Sequence, residues 1–226
     1  MRTGLLLPIF QERAERALDA AERAERAGVD GVFCYDHLWP MGQPGRPALA
    51  PFPVLALVAA RTQRVAVGTL VGRVGLVPDA VLVAELAALA TVAPGRVVAG
   101  MGTGDRLSAG ENEAYGVGFE PARVRRERLR RCVRAAADLG LTVWVGGGGP
   151  GTRRIAASEG VALNLWEASP ADVRRESART EVTWGGSVKG PLAPVVARLG
   201  EAGASWVVFA WPVDVEELAE AGASAR

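Results

Sequence analysis

The feature that most constrains this chain is a regular alternation of short apolar runs and longer helical patterns. After each run, apolar residues recur every three or four positions, as expected for a helix with one buried face. Apolar strands separated by helices are typical of a parallel sheet whose faces are covered by helices. The eight predicted strands are residues 4–7, 31–35, 65–71, 96–101, 142–145, 161–165, 181–184 and 205–210.

Eight strand–helix units of about 28 residues each predict an α/β fold, a closed (β/α)8 TIM barrel. We find no linker or shift in composition along the sequence, so we expect residues 1–226 to form one domain. The alternative is an open sheet of five to seven strands, in which a short segment such as 181–184 is wrongly assigned as a strand.

Charge and composition exclude several classes of protein. The chain has 26 basic and 25 acidic residues and a formal net charge of +1, whereas a protein that binds nucleic acid by phosphate neutralisation usually has a basic excess. No uncharged apolar run reaches the roughly 18 residues of a membrane-spanning helix, and none resembles a signal peptide. Cys34 and Cys132 are too few for a disulfide framework. We therefore expect a cytoplasmic protein that binds neither nucleic acid nor membrane.

Polar residues follow the predicted strands at the barrel end where functional groups usually lie. His37, the single histidine, comes after Asp36 at the end of the second strand. Its imidazole can act as a general acid or base, or hydrogen-bond a ligand carbonyl; alternatively it binds a backbone group of its loop. A metal site is not expected, because there is no second histidine and no cysteine pair at ligand spacing.

Two glycine-rich segments come next. Asp105 ends the segment Gly-Thr-Gly-Asp after the fourth strand, where it either contacts a substrate or cofactor or caps a helix predicted at residues 108–115. Residues 146–151 are five glycines and one proline, and they lead into a predicted helix at Thr152. Exposed amides at a helix N-terminus favour a phosphate, and Arg153 and Arg154 could reinforce such a site. The alternatives are a flexible turn here, or a phosphate site at residues 185–189.

Arginines are concentrated between residues 123 and 134, in a predicted helix. An apolar stripe that includes Leu129, Cys132 and Val133 accompanies them, so we expect the arginines to occupy the solvated face of the helix. The same stripe predicts a core position for Cys132.

Taken in order, several segments resemble the bacterial luciferase-like superfamily of flavin- and deazaflavin-dependent oxidoreductases. They are GVDGVFCYDHLW, LVAARTQRVAVGTLV, AELAALATVAPGRVVAGMGTGD, VWVGGGGPGTRRIAA and EAGASWVVF. The Asp-His pair after the second strand and the Gly-Thr-Gly-acid segment after the fourth are most similar to those of the branch that uses the deazaflavin coenzyme F420. The resemblance implies F420 as cofactor, with FMN as the alternative.

The resemblance also implies roles for individual residues. Asp36 and His37 would lie beside the cofactor ring, with His37 as proton-transfer partner, and Asp105 would take the position of a catalytic acid. Leu70 and Val71 would be joined by a cis peptide bond behind the ring. The remaining residues implied to bind the cofactor are Thr69 and Gly104 at the ring and Gly146, Gly147, Gly148 and Gly149 at its phosphate.

The implied activity is hydride transfer between the C5 (or flavin N5) position of the cofactor and a small organic substrate, with His37 and Asp105 exchanging the proton. The implied assembly is a homodimer. Relative to the family, the chain lacks the usual insertion between the fourth helix and the fifth strand, because Leu139-Gly140-Leu141 passes directly into Thr142. The shortened mouth leaves a second hypothesis open, a flavin- or deazaflavin-binding member without catalysis.

Overall fold

The computed structural model describes residues 1–225, and in them eight parallel strands close into a barrel, with a ninth short strand at its mouth. The strands are neighbours in chain order, the last strand pairs with the first, and a pairing of the third strand with the fifth closes the ring, with Val67 opposite Val97. The predicted (β/α)8 barrel is therefore confirmed, and the open sheet is excluded because residues 182–186 pair on both sides. The strands are β1 (Arg2–Leu6), β2 (Gly31–Cys34), β3 (Ala66–Thr69), β4 (Gly72–Arg73), β5 (Val97–Gly102), β6 (Thr142–Gly146), β7 (Ala162–Trp166), β8 (Val182–Gly186) and β9 (Ala204–Ala210).

Helices follow the strands and cover the outside of the barrel. The first of them ends at Ala27 and is capped by Gly28, whose φ of 96° is the left-handed conformation typical of a glycine C-cap. None of the helices within residues 1–225 is both long enough and apolar enough to cross a membrane. The helices are α1 (Glu15–Ala27), α2 (Pro51–Arg61), α3 (Asp79–Val92), α4 (Ala109–Ala114), α5 (Ala122–Asp138), α6 (Pro150–Glu159), α7 (Pro170–Ser177), α8 (Ala193–Glu201) and α9 (Val215–Ser224); a 3-10 turn, Arg106–Ser108, precedes α4.

Large aromatic side chains fill the interior of the barrel. The ring centroids of Phe33 and Trp144 are 5.1 Å apart, and those of Trp144 and Trp206 are 5.4 Å apart. Strand glycines make room for them, since a Cβ at Gly4 would lie 2.9 Å from Cε2 of Phe33 and one at Gly31 would lie 3.0 Å from Cζ3 of Trp206. The glycines of these strands are therefore part of the packing of the core.

The connection after β3 shapes the mouth of the barrel. Leu70 and Val71 are joined by a cis peptide bond, as the family resemblance implied. The Val71 side chain then lies against the ends of β5 and β6, where a Cβ at Gly102 or at Gly146 would come within 2.6 Å of its methyl groups. Because real Cβ atoms do not approach so closely, these two strand ends have room for glycine only unless Val71 moves.

Both cysteines are buried and unpaired in the structure. Cys132 lies on the apolar face of α5, where burial raises the pKa of its thiol to about 11. The predicted core position of Cys132 is confirmed. The short connection from α5 to β6 is also present, and Gly140 turns it with a φ of 74°.

Candidate active site

A cavity of about 690 Å³ opens at the carboxyl ends of the strands. Its volume is that of a typical site for a cofactor or small ligand. The predicted residues on its wall are His37, Leu70, Val71, Gly104, Asp105, Gly146, Gly147, Gly148 and Gly149. Two other predicted residues, Asp36 and Thr69, lie next to the cavity and not on its wall. The structure thus brings most of the predicted site together.

His37 pairs with a carboxylate that the sequence interpretation had not singled out. Its Nδ1 lies 2.8 Å from Oε1 of Glu111 on α4, and the Glu111 side chain is almost completely buried. A carboxylate can only accept in this contact, so the Nδ1 atom carries the proton. Nε2 of His37 is then left to accept or donate a hydrogen bond toward a ligand in the cavity.

Glu111 is itself held by two further donors. Arg73 donates to its Oε2 over 2.9 Å, and the backbone amide of Leu38 donates to the same oxygen over 2.8 Å. Arg73 is 4% exposed and Glu111 is 1% exposed, so this is a buried ion pair. These two donors hold the Glu111 side chain in place, and Glu111 in turn orients the imidazole of His37.

Asp36 supports this network from behind the cavity. Its carboxylate accepts a hydrogen bond of 2.8 Å from the backbone amide of Arg73, and its carbonyl oxygen accepts one of 2.7 Å from Nε of Arg73. Burial raises the pKa of the Asp36 carboxyl above its ordinary value, against the opposing effect of the Arg73 amide. In this structure Asp36 positions Arg73, and a contact with the cofactor ring stays a prediction.

Asp105 serves as a helix cap and also lines the cavity. Its Oδ1 accepts from the amides of Leu107 and Ser108, and Oγ of Ser108 accepts from the amide of Asp105 in return, which is a capping box. These bonds use Oδ1 and leave Oδ2 outside the cap. His37 pairs with Glu111 and not with Asp105, so the proton exchange predicted between His37 and Asp105 stays a prediction.

Thr69 is fully buried, and its hydroxyl donates to the carbonyl oxygen of Gly100 over 2.7 Å. This bond ties β3 to β5 below the cis peptide.

One wall of the cavity is aromatic. The ring centroids of Phe10 and Tyr35 are stacked 5.5 Å apart, and Tyr35 meets the edge of Trp166 at 5.9 Å. Burial raises the pKa of the Tyr35 phenol still further above neutral pH.

The glycine-rich segment forms the other end of the cavity. Gly149 is the N-cap of α6 and has no side chain to satisfy the first amides of the helix, and Pro150 occupies the first turn. No carbonyl of residues 1–225 accepts from the amides of Gly151 and Thr152. A Cβ at Gly148 or Gly149 would meet nothing closer than 3.8 Å, so packing does not require glycine there. The open backbone leaves space for an anion.

Side chains behind the loop hold its carbonyl groups. Oγ1 of Thr152 lies 2.6 Å from the carbonyl oxygen of Gly147 and 2.9 Å from that of Gly149. Nε of Arg153 donates to the carbonyl oxygen of Gly148 over 2.7 Å. The Arg153 head group also forms an ion pair with buried Glu176. Arg153 therefore supports the loop from outside, and it does not face the cavity as predicted for an anion ligand.

The competing phosphate site at residues 185–189 is less suited to an anion. The amide of Ser187 in this loop donates to a carboxylate oxygen of Glu167 over 3.2 Å. An acidic side chain thus already occupies the amide that a phosphate would need. Lys189 is exposed and is absent from the cavity wall. Residues 146–151 are therefore the better candidate for an anion site.

Three residues of the site were missed in the sequence: Phe10, Arg73 and Glu111. Glu111 lies in a helix that was predicted, and its signal was an acidic residue on the side of that helix facing the barrel. Arg73 follows the cis peptide within the predicted third unit. The partners of both residues lie more than thirty positions away in the chain, so no local pattern connects them.

The fold and the site define this protein as a closed parallel barrel with a cavity of about 690 Å³ at its mouth. The cavity wall includes His37, paired with buried Glu111, and the open glycine-rich loop at residues 146–151, a candidate anion site that we call the anion cradle. The chain belongs to the luciferase-like monooxygenase family, whose family model matches residues 1–139.

Among curated proteins, the chain is 38% identical over 134 residues to the F420-dependent glucose-6-phosphate dehydrogenase of Nakamurella multipartita, covering 57% of this chain and 36% of that protein. It is 36% identical over 106 residues to the F420-dependent hydroxymycolic acid dehydrogenase of Mycobacterium tuberculosis, covering 46% of this chain and 29% of that protein. The matches thus span about a third of the length of these relatives.

Among solved structures, the chain resembles an F420-dependent secondary alcohol dehydrogenase in complex with an F420-acetone adduct. The TM-score is 0.84 at 16% sequence identity, and the match covers 100% of this chain and 99% of that one. At this identity the likeness establishes the fold, and it agrees with the barrel described above.

Proposed function

We propose that this protein is an F420-dependent oxidoreductase that transfers a hydride between the deazaflavin ring and a small organic substrate. One observation carries the proposal: a single cavity has an anion cradle at one end and an oriented histidine at the other, with the Leu70–Val71 connection between them. The two related dehydrogenases described above are both named as F420-dependent, which supports the choice of cofactor.

The residues present fit such a cofactor. The cradle around Gly148 and Gly149 has open backbone where a phosphate would be held by amides and by the N-terminus of α6. Leu70 and Val71 form an apolar floor on which a flat ring would lie, and Trp166 forms a side wall. When bound, the deazaflavin supplies the ring carbon that gives or takes the hydride.

The protein's part of the chemistry is proton transfer and orientation. His37, with its Nδ1 proton held by Glu111, presents Nε2 to exchange a proton with the substrate oxygen. Asp105 keeps its Oδ2 available to orient the substrate at the same wall. The aromatic residues Phe10 and Tyr35 exclude water beside His37.

Titration of the purified protein with F420 and, separately, with FMN tests the cofactor. Trp166 lines the cavity and is 44% exposed, so we expect F420 to quench its fluorescence and Trp166→Phe to remove most of that change. Tighter binding of FMN than of F420 would change the proposed cofactor to FMN. Failure of both to bind would refute the proposed function.

The variant His37→Ala tests the catalytic assignment. The assay offers a panel of alcohols and sugar phosphates as substrates, and it measures the reduction of F420 by the loss of its visible absorbance. Loss of a general acid–base group lowers turnover by about 100- to 10,000-fold, and we expect the cofactor Kd to change little. An unchanged rate would remove His37 from the mechanism. Cofactor binding by the wild type without turnover of any substrate would favour the non-catalytic alternative.

We also propose that the protein is a single-domain cytoplasmic homodimer. The buried, unpaired cysteines are consistent with a reducing compartment. Neighbouring helices α2 and α3 expose apolar side chains on one side of the barrel, among them Leu57 at 48%, Val81 at 42% and Val92 at 46%. Exposed apolar stripes of this kind are typical of subunit interfaces.

A further inference from the structure

A second cavity, of about 600 Å³, lies outside the barrel between α5 and α6. It shares two residues, Arg126 and Gly151, with the wall of the active-site cavity, so the two spaces meet at the anion cradle. We call this second cavity the arginine groove. Its charged residues are Arg123, Arg126, Glu127, Arg130 and Arg154.

The arginines of α5 divide into two groups. Among those outside the groove, Arg128 and Arg131 both bind Asp79, and Arg134 binds Glu159. Arg125 is the exception: contrary to the expected solvated face, it is buried and lies over the ring of Phe119. In contrast, Arg123 and Arg126 form no ion pair with any of residues 1–225. The two unpaired charges therefore lie next to the cradle.

Arg154 adds a third unpaired charge from the other wall of the groove, because it makes no ion pair within the described part of the chain. Arg130 is balanced, since it pairs with Glu127 and with Glu159. The groove therefore carries an excess of about three positive charges that the protein itself does not neutralise.

The opposite side of α6 provides an internal comparison. There Arg153, Arg175 and Arg179 also converge, but all three contact the carboxylate of Glu176. That surface is neutralised from within the protein. In the arginine groove, Glu127 contacts only Arg130, so Arg123, Arg126 and Arg154 stay unpaired beside the active-site cavity.

We propose that the arginine groove binds the acidic tail of the cofactor. This inference rests on the proposed function. The phosphate of F420 carries an extension with several carboxylates, whereas FMN ends at its phosphate. An extension that leaves a phosphate in the cradle passes Gly151 and Arg126 and reaches Arg123 and Arg154. The groove would then select the tailed deazaflavin over FMN by charge, through ion pairs that guanidinium groups form well with carboxylates.

The test uses two forms of the deazaflavin, one with the full acidic tail and one that ends just beyond the phosphate. Kd would be measured by fluorescence titration for the wild type and for the double variant Arg123→Gln/Arg154→Gln. The matched control is Arg174→Gln/Arg198→Gln, which removes two exposed arginines that lie outside the groove and form no ion pair within residues 1–225. Thermal unfolding checks that all variants are folded.

We expect the groove variant to bind the tailed form about 3- to 10-fold more weakly, with the affinity for the truncated form unchanged. The wild-type preference for the tailed form should also fall as salt is raised, because the groove is exposed. Equal affinity of the wild type for both forms would refute tail binding by the groove and leave the proposed function intact. An equal loss of affinity for the tailed form in the control variant would do the same. Failure of both forms to bind would overturn the proposed function, and the groove with it.

Discussion

The ion pair between Glu111 and Arg73 leads to a prediction about stability. Replacing Glu111 by alanine removes an acceptor that binds Nδ1 of His37, the amide of Leu38 and the guanidinium of Arg73 at 2.8–2.9 Å. Arg73 would keep its bond to the Asp36 carbonyl and a long contact of 3.4 Å to Asn112. Its guanidinium would remain buried with no carboxylate bonded to it, because the nearby Asp36 carboxylate accepts only from the Arg73 backbone amide.

The expected cost follows from that burial. Removing one partner of a buried ion pair usually costs about 3–5 kcal/mol, because the remaining charge is uncompensated. For a chain of this length, each kcal/mol lowers Tm by about 2–4 °C, so Glu111→Ala should lower Tm by roughly 6–20 °C. The exposed Glu113 on the same helix provides the matched control, and Glu113→Ala should change stability by less than about 0.5 kcal/mol.

Urea unfolding monitored by tryptophan fluorescence measures both variants. A double-mutant cycle with Arg73→Met then isolates the pair: since the double variant leaves no buried charge from this pair, its loss should be about 2 kcal/mol smaller than the sum of the single losses. Additive losses, or a loss below about 1 kcal/mol for Glu111→Ala, would refute the view that this pair anchors the His37 side of the site.

Three further outcomes are expected from other parts of the structure. Gly102→Ala should cost about 1–3 kcal/mol, because its Cβ would lie 2.6 Å from a Val71 methyl group; urea unfolding should show recovery in a Val71→Ala background, and no recovery would contradict this packing. Burial raises the pKa of the Glu176 carboxyl, but hydrogen bonds from neighbouring arginines outweigh burial and hold the pKa below its ordinary value of 4.5. Glu176→Gln should therefore be destabilising at pH 7, and its difference from the wild type should shrink as pH falls below 4.5, where the unfolded carboxylate is protonated first; a difference independent of pH would contradict this linkage. If the protein forms the proposed homodimer, Leu57→Arg should convert it to a monomer in sedimentation experiments; a monomeric wild type would refute the proposed interface.

Much of the barrel was predictable because its signals are local. Each strand is a short apolar run, and each helix has a periodic apolar face, so the eight units can be read one at a time. The open glycine-rich loop at the mouth was predictable for the same reason, since residues 146–151 at the start of α6 are five glycines and one proline. The resemblance to a known family supplied the cis peptide at Leu70–Val71, which no local pattern indicates.

The sequence by itself determined the strand–helix order, and with it the barrel end where polar residues gather. Only the tertiary structure decided what those residues do. Glu111 reaches His37 across 74 positions, and Asp105 is engaged as a helix cap. The structure also separates the unpaired arginines of α5 from the paired ones. The physical reason is that strands and helices depend on neighbours in the chain, whereas charge pairing depends on which groups the closed barrel brings within about 3 Å of each other.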